Sequence, residues 1–99
     1  MCMTLIEQTY LILKQAGLTT TRQAFSREYV GKNQNWFSYQ AHMNRDFSIT
    51  AAIRCLRAVR FLREHEQALQ HDQKKALRSA EVMLLEHLNE RHRIAEVRS

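Results

Sequence analysis

Asn33, Gln34, Asn35, Ser38, Tyr39 and His42 fall within ten residues of one another, and no carboxylate interrupts the run from Lys32 to Arg45. Amide, hydroxyl and imidazole side chains offer hydrogen-bond donors and acceptors together. Asn and Gln can pair with an adenine edge in bidentate fashion, and Ser or His can meet a base edge singly. Around them stand Arg22, Arg27, Lys32, Arg45, Arg54 and Arg57. Cations of this kind hold phosphates, which positions a protein on a duplex without reading its sequence. The chemistry is that of nucleic-acid recognition. An ordinary surface helix, whose polar residues only meet water, is the competing reading.

Other chemistries find less support. His87 and His92 are five apart and His65 and His71 six apart. Neither pair has the four-residue spacing that puts two metal ligands on one helical face. Cys2 and Cys55 lack a metal or disulfide-framework spacing, and Cys55 sits in an apolar-periodic stretch as a small hydrophobe. There is no glycine-rich phosphate loop and no spaced carboxylate pair. No enzyme activity, metal or cofactor is expected. Trp36, Phe37 and Tyr39 could stack on bases. Three aromatics in a short helix are more often core, with Tyr39 the member expected at the surface.

Charge is unevenly spread. The net charge is +5, but between Lys14 and Arg63 nine basic residues face only Glu28 and Asp46, a net +7. The flanking segments each carry −1. Such a concentration repels itself, and an anionic partner relieves the repulsion.

The elements that must carry these residues are helices. There is no proline, and two glycines among 99 residues are too few to punctuate a sheet of many short strands. A first helix begins at Thr4, which forms a capping box with Glu7, and Gly17 stops it. A second runs from about Thr21 to Tyr29, with Thr20 and Gln23 as its capping box, and ends at Gly31. Asn33 caps a third, in which Phe37 and Ala41 share the buried face flanked by Trp36 and Met43. After the polar link Asn44–Arg45–Asp46, Ser48 caps a fourth helix, whose buried face is Ile49, Ala52, Ile53, Leu56, Val59 and Leu62. Arg54, Arg57, Arg60 and Arg63 drift around its outside, either as a phosphate-binding strip or as a solvated face.

A last helix is expected from Gln67 to Glu96, with a kink near Gln70–Asp72. Its stripe is Leu77, Ala80, Leu84, Leu88 and Ala95, with Val82 and Leu85 on an adjoining face. At about 1.5 Å per residue it would span about 45 Å, which suggests a partner, most simply a second copy of the chain, the alternative being that Leu77, Leu84 and Leu88 pack back on the chain's own core.

The order helix, glycine-containing turn, helix from Thr20 to His42 resembles the helix-turn-helix DNA-binding domains of small bacterial and phage regulators, especially the repressor-like type. Phe25, Val30, Gly31 and Phe37 carry the resemblance, which covers about Leu5 to Leu62. There is one departure. With Gly31 as the turn glycine, Arg27 falls where the family packs a small residue between its helices. Sliding by one puts Ser26 there but Val30 at the glycine. A turn one residue longer than usual reconciles the two.

The resemblance implies a helix-turn-helix domain over 1–65, within an all-α chain whose amphipathic helix over 66–99 is expected, from its length, to dimerise. It implies a transcriptional regulator binding double-stranded DNA as a homodimer. Asn33, Gln34, Asn35, Ser38, Tyr39 and His42 would meet bases, and Leu77, Ala80, Leu84 and Leu88 the second copy. The alternative is a helical adaptor or anti-activator that binds another regulatory protein. No apolar run reaches the roughly 18 residues of a membrane span, and no signal-peptide pattern is present, so a cytoplasmic location is expected.

Overall fold

The computed structural model describes residues 3–91, and all of the regular structure among them is helical. Five α-helices follow in order: α1 (Leu5–Gln15), α2 (Arg22–Phe25), α3 (Trp36–His42), α4 (Ile49–His65) and α5 (His71–Arg91). A π-helical turn, Ser26–Val30, continues α2 without a break. Cys2, His92 and Ala95 lie outside the described residues, as does the expected helix end at Glu96.

Three helix starts have a local cause. The Thr4 hydroxyl accepts from Glu7 N, Thr21 from Ala24 N, and Ser48 from Ala51 N. The second cap is therefore Thr21, one residue beyond the expected Thr20. A further cap comes from far along the chain. The Asp46 carboxylate accepts from Leu5 N at 2.8 Å and Ile6 N at 3.1 Å, and also from Phe47 N at 2.8 Å. An anion on the first-turn amides suits both their unpaired donors and the helix dipole. The link before α4 is thereby tied to the start of α1.

Phe25, Tyr10 and Phe37 meet edge to face, with centroids 5.3 to 6.1 Å apart, and Tyr29 stacks on Phe25 at 5.7 Å. Ile6, Leu13, Val30, Cys55, Leu56 and Val59 complete the core around them. Aromatic pairs in such geometry add to the stability from burial alone.

The last helix departs from expectation. Residues 66–70 form a turn rather than a kinked helix, and α5 begins at His71. It packs on α4 and α1, and Leu77, Ala80 and Leu84 are wholly buried in the same cluster as Ile6 and Val59. Leu88 packs half-buried against that cluster. Leu77, Ala80 and Leu84 are thus spent on the chain's own core, one of the two arrangements the stripe allowed, and α5 shares that core with the helices before residue 65. Arg60 and Arg63 grip Glu81 at 2.9 and 3.0 Å, and Gln73 donates to the Ala16 carbonyl.

Four other apolar residues lie further out than expected. Ala41 is exposed, and Met43, Ile49 and Val82 are 42%, 39% and 47% exposed. Helix α3 ends at His42, and Asn44 turns the chain away at φ 55°, so Ala41 and Met43 sit past the core. Asparagine tolerates this left-handed geometry better than most residues. Ile49 opens α4 before its buried face begins at Ala51, and Val82 lies away from the Leu77–Ala80–Leu84 stripe.

Leu84→Ala should destabilise the chain by about 2–5 kcal/mol, the usual range for a buried leucine. Urea denaturation checks this, and an unchanged midpoint would place Leu84 outside the core. Alkaline pH supplies a second check. Burial, helped by Glu28 and Cys55, pushes the Tyr29 hydroxyl from 10.0 up to about 12, and burial pushes the Cys55 thiol from 9.0 up to about 12. Folding favours the protonated form of both, so their contribution is full below the unfolded values and is lost as pH rises through the folded ones. The melting temperature should hold at neutral pH and fall between pH 9.0 and about 12. Cys55 should resist iodoacetamide at neutral pH until the chain is unfolded.

Candidate nucleic-acid interface

The second and third helices are joined through one hydroxyl. Ser26 is fully buried, donates to the Arg22 carbonyl at 2.9 Å, and accepts from Phe37 N at 3.2 Å. Phe37 N lies in the first turn of α3, where a helix has no backbone acceptor of its own. One side chain of α2's continuation therefore caps α3 from inside the core.

Ser26 lies between the two helices, and Gly31 ends the second helix at φ 72°. Ser26–Val30 widens to a π turn, and the Ser26 carbonyl accepts from both Gly31 N and Lys32 N. A π turn is how a helix absorbs one inserted residue, and such turns are frequent at functional sites. A Cβ on Gly31 would lie 3.5 Å from Arg54 Nη1, and an L side chain at that φ is strained in any case.

All six residues expected to meet bases are exposed, but they do not all lie on α3. The helix starts at Trp36, so Asn33 and Gln34 occupy the turn and Asn35 is the cap residue. The Asn33 side chain does not cap the helix. Its Oδ1 accepts from Asn35 N at 2.8 Å, closing a local turn that stops the helix from starting earlier. This engages the Asn33 acceptor and leaves its NH2 without a hydrogen bond among the described residues. Gln34 and Asn35 have no side-chain hydrogen bond among the described residues, so both ends of their carboxamides are free. Asn35, Ser38, Tyr39 and His42 follow the three- and four-residue spacing that gathers side chains on one helical face.

The cations differ in their surroundings. The Arg22 guanidinium lies 5.4 Å from the centroids of both Tyr10 and Phe37, covering the edge of the core. Arg54 Nη1 is 3.5 Å from the Gly31 carbonyl, bringing α4 to the turn. Lys32 is half-buried, while Arg27, Arg45 and Arg57 are exposed. None of these six has a carboxylate within ion-pair distance among the described residues, whereas Arg60 and Arg63 share Glu81. The arginine series of α4 thus divides: Arg54 reaches the turn and Arg57 is exposed without a carboxylate partner among the described residues, whereas Arg60 and Arg63 are bound to α5.

Two features escaped the sequence reading. Asp46 read as part of a polar link, although a lone carboxylate in a strongly basic stretch is a signal that it has a partner. The stacking of Arg22 on two rings had no signal in the spacing at all.

No group of three His, Cys, Asp or Glu side chains among the described residues could hold a metal ion. The His87 ring stands 3.4 Å from the Phe47 carbonyl and edge-on to the Phe47 ring.

One family model matches the chain, the family of unknown function DUF6626, over residues 6–98, and the chain belongs to that family. No curated protein and no solved structure matches it.

Ser26→Ala removes both hydroxyl bonds and leaves the Phe37 amide buried without a partner. The expected cost is about 1–3 kcal/mol. Denaturant unfolding measures it, and amide exchange at Phe37 should accelerate relative to the α4 core. An exchange rate at Phe37 equal to wild type would dissolve the proposed link between the helices.

Proposed function

Membership in a family whose description assigns no function leaves the chain's own surface to argue from, and we propose that it is a sequence-specific DNA-binding protein. It acts as a small transcriptional regulator in the cytoplasm, without catalysis. The observation that carries this reading is the exposed edge of the Ser26-locked helix pair. Gln34 and Asn35 have free carboxamides there, Ser38, Tyr39 and His42 continue the face, Arg54 reaches the Gly31 carbonyl at the turn, and Arg27, Arg45, Arg54 and Arg57 are exposed without carboxylate partners among the described residues. Helix α3 and its preceding turn enter the major groove, and the arginines hold the flanking phosphates.

One such module buries too little surface for tight specific binding, so two copies on two half-sites complete the arrangement. The contact between them lies elsewhere than Leu77, Ala80 and Leu84, which the core occupies.

A second reading, a protein-interaction module, is favoured by one separate observation. Phe61 is 61% exposed at the side of a cleft lined by Leu18, Tyr29, Ala58 and Leu62, with Glu28 and Glu66 beside it. Carboxylates at this cleft suit a protein better than a nucleic acid.

Selection from random-sequence duplexes at two salt concentrations separates the readings. The regulator should enrich a short site that survives the higher salt, and the Gln34→Ala/Asn35→Ala double variant should lose that preference while folding normally. Arg54→Ala/Arg57→Ala should weaken all sequences alike and flatten the salt dependence by about one to two in slope. Uniform loss of binding with salt and no enriched site would remove the regulator reading and favour the Phe61 cleft as the working surface.

A further inference from the structure

Beside the polar face of α3 the surface dips into an almost wholly apolar slot lined by Trp36 and Tyr39 and edged by Lys32, Asn33 and Asn35. Trp36 is supported from within: its ring lies 5.8 Å from that of the buried Phe47, tilted by 35°. Tyr39 is 53% exposed and forms the outer wall. At 100° per residue, Tyr39 lies at the margin of the stripe formed by Asn35, Ser38 and His42, and Trp36 lies just beyond it. The slot therefore adjoins the row of side chains proposed to face the bases.

We propose that this slot receives the 5-methyl group of a thymine, so that Trp36 and Tyr39 select the base at one position of each bound half-site by apolar contact. The inference rests on the reading of α3 as the element that enters the major groove. Among the four bases only thymine presents an apolar group on that groove edge. The amino groups of adenine and cytosine, and the acceptors of guanine, would meet ring carbon and lose their water without a partner, which is costly. Asn33 and Asn35 at the rim can bond to the neighbouring polar edges while the methyl group fills the floor. The charge is compatible: Lys32 lies at the edge and no carboxylate lines the slot. A whole base stacked between the two rings fits less well, because Trp36 is half-buried and already packed against Phe47.

The test uses the full chain and a duplex site enriched from random sequence. Each thymine of that site is replaced in turn by deoxyuridine, which removes only the methyl group. One thymine in each half-site should show a loss of about fourfold in affinity, the equivalent of one buried methylene-sized group. Tyr39→Ala, at an exposed position, should keep the fold, weaken binding to the thymine site and erase the difference between thymine and deoxyuridine. Tyr39→Phe should retain it, since the ring makes the contact and the hydroxyl does not. Equal binding of every deoxyuridine-substituted site, or a thymine preference that persists in Tyr39→Ala, would overturn the slot while leaving the DNA-binding reading intact. Failure to enrich any site would overturn both.

Discussion

The arrangement of the first half of this chain hangs on the Ser26 hydroxyl. It donates to Arg22 O within its own helix and accepts from Phe37 N across the turn, so its bonding is complete in a position with no access to water. An alanine would fit the space but leave the Phe37 amide without an acceptor. Reaching Phe37 imposes a condition on the chain that follows. Val30 must be buried and Gly31 must turn left-handed, yet Ser26 and Gly31 are one residue too far apart for an ordinary helix to satisfy both demands. The π turn relieves that excess inside the helix, keeping the link from Lys32 to Asn35 short and its side chains at the surface.

From that junction the remaining contacts follow in order. Phe37, set by its amide, brings its ring against Tyr10 and Phe25, which fixes α1 against the helix pair. Asp46 then closes the circuit by capping α1 from the segment that leads into α4. α5 seals what remains with Leu77, Ala80 and Leu84, and its Glu81 gathers the two arginines furthest from the turn. Pairing on the α5 side removes Arg60 and Arg63 from the free set, while Arg54 at the turn has no carboxylate partner among the described residues.

Much of the fold was legible because its signals are local. Thr4, Ser48, Gly17 and Gly31 act on backbone within a few residues, so their spacing alone marks helix ends. The apolar stripe of α4 from Ala52 to Val59 was equally readable. What was not legible depends on competition or distance. Asn33 is a good cap by type, but its carboxamide bonds to Asn35 N instead and delays α3 to Trp36. The stripe on α5 had the same periodicity whether it met a second copy or its own core, and periodicity carries no address. Asp46 reaches across 41 residues, a contact that no window along the chain could reveal. At the candidate interface, residue types were readable and their division of labour was not. Nothing in the spacing separates Arg57, which stands free, from Arg60, which holds Glu81.

That division bears on the proposal that this surface reads sequence. A side chain that fills its bonding capacity within the protein can position but not discriminate, because discrimination needs a donor or acceptor left unmatched by the wrong base. By this criterion Arg22, stacked on two rings, and Arg54, directed at the turn carbonyl, belong to the scaffold as much as to any partner. Asn33 is half committed. Gln34, Asn35, Ser38 and His42 keep their polar groups uncommitted among the described residues, and Tyr39 adds an apolar ring at their margin. These uncommitted groups lie within the nine residues from Gln34 to His42, supported from below by Ser26 and Phe47.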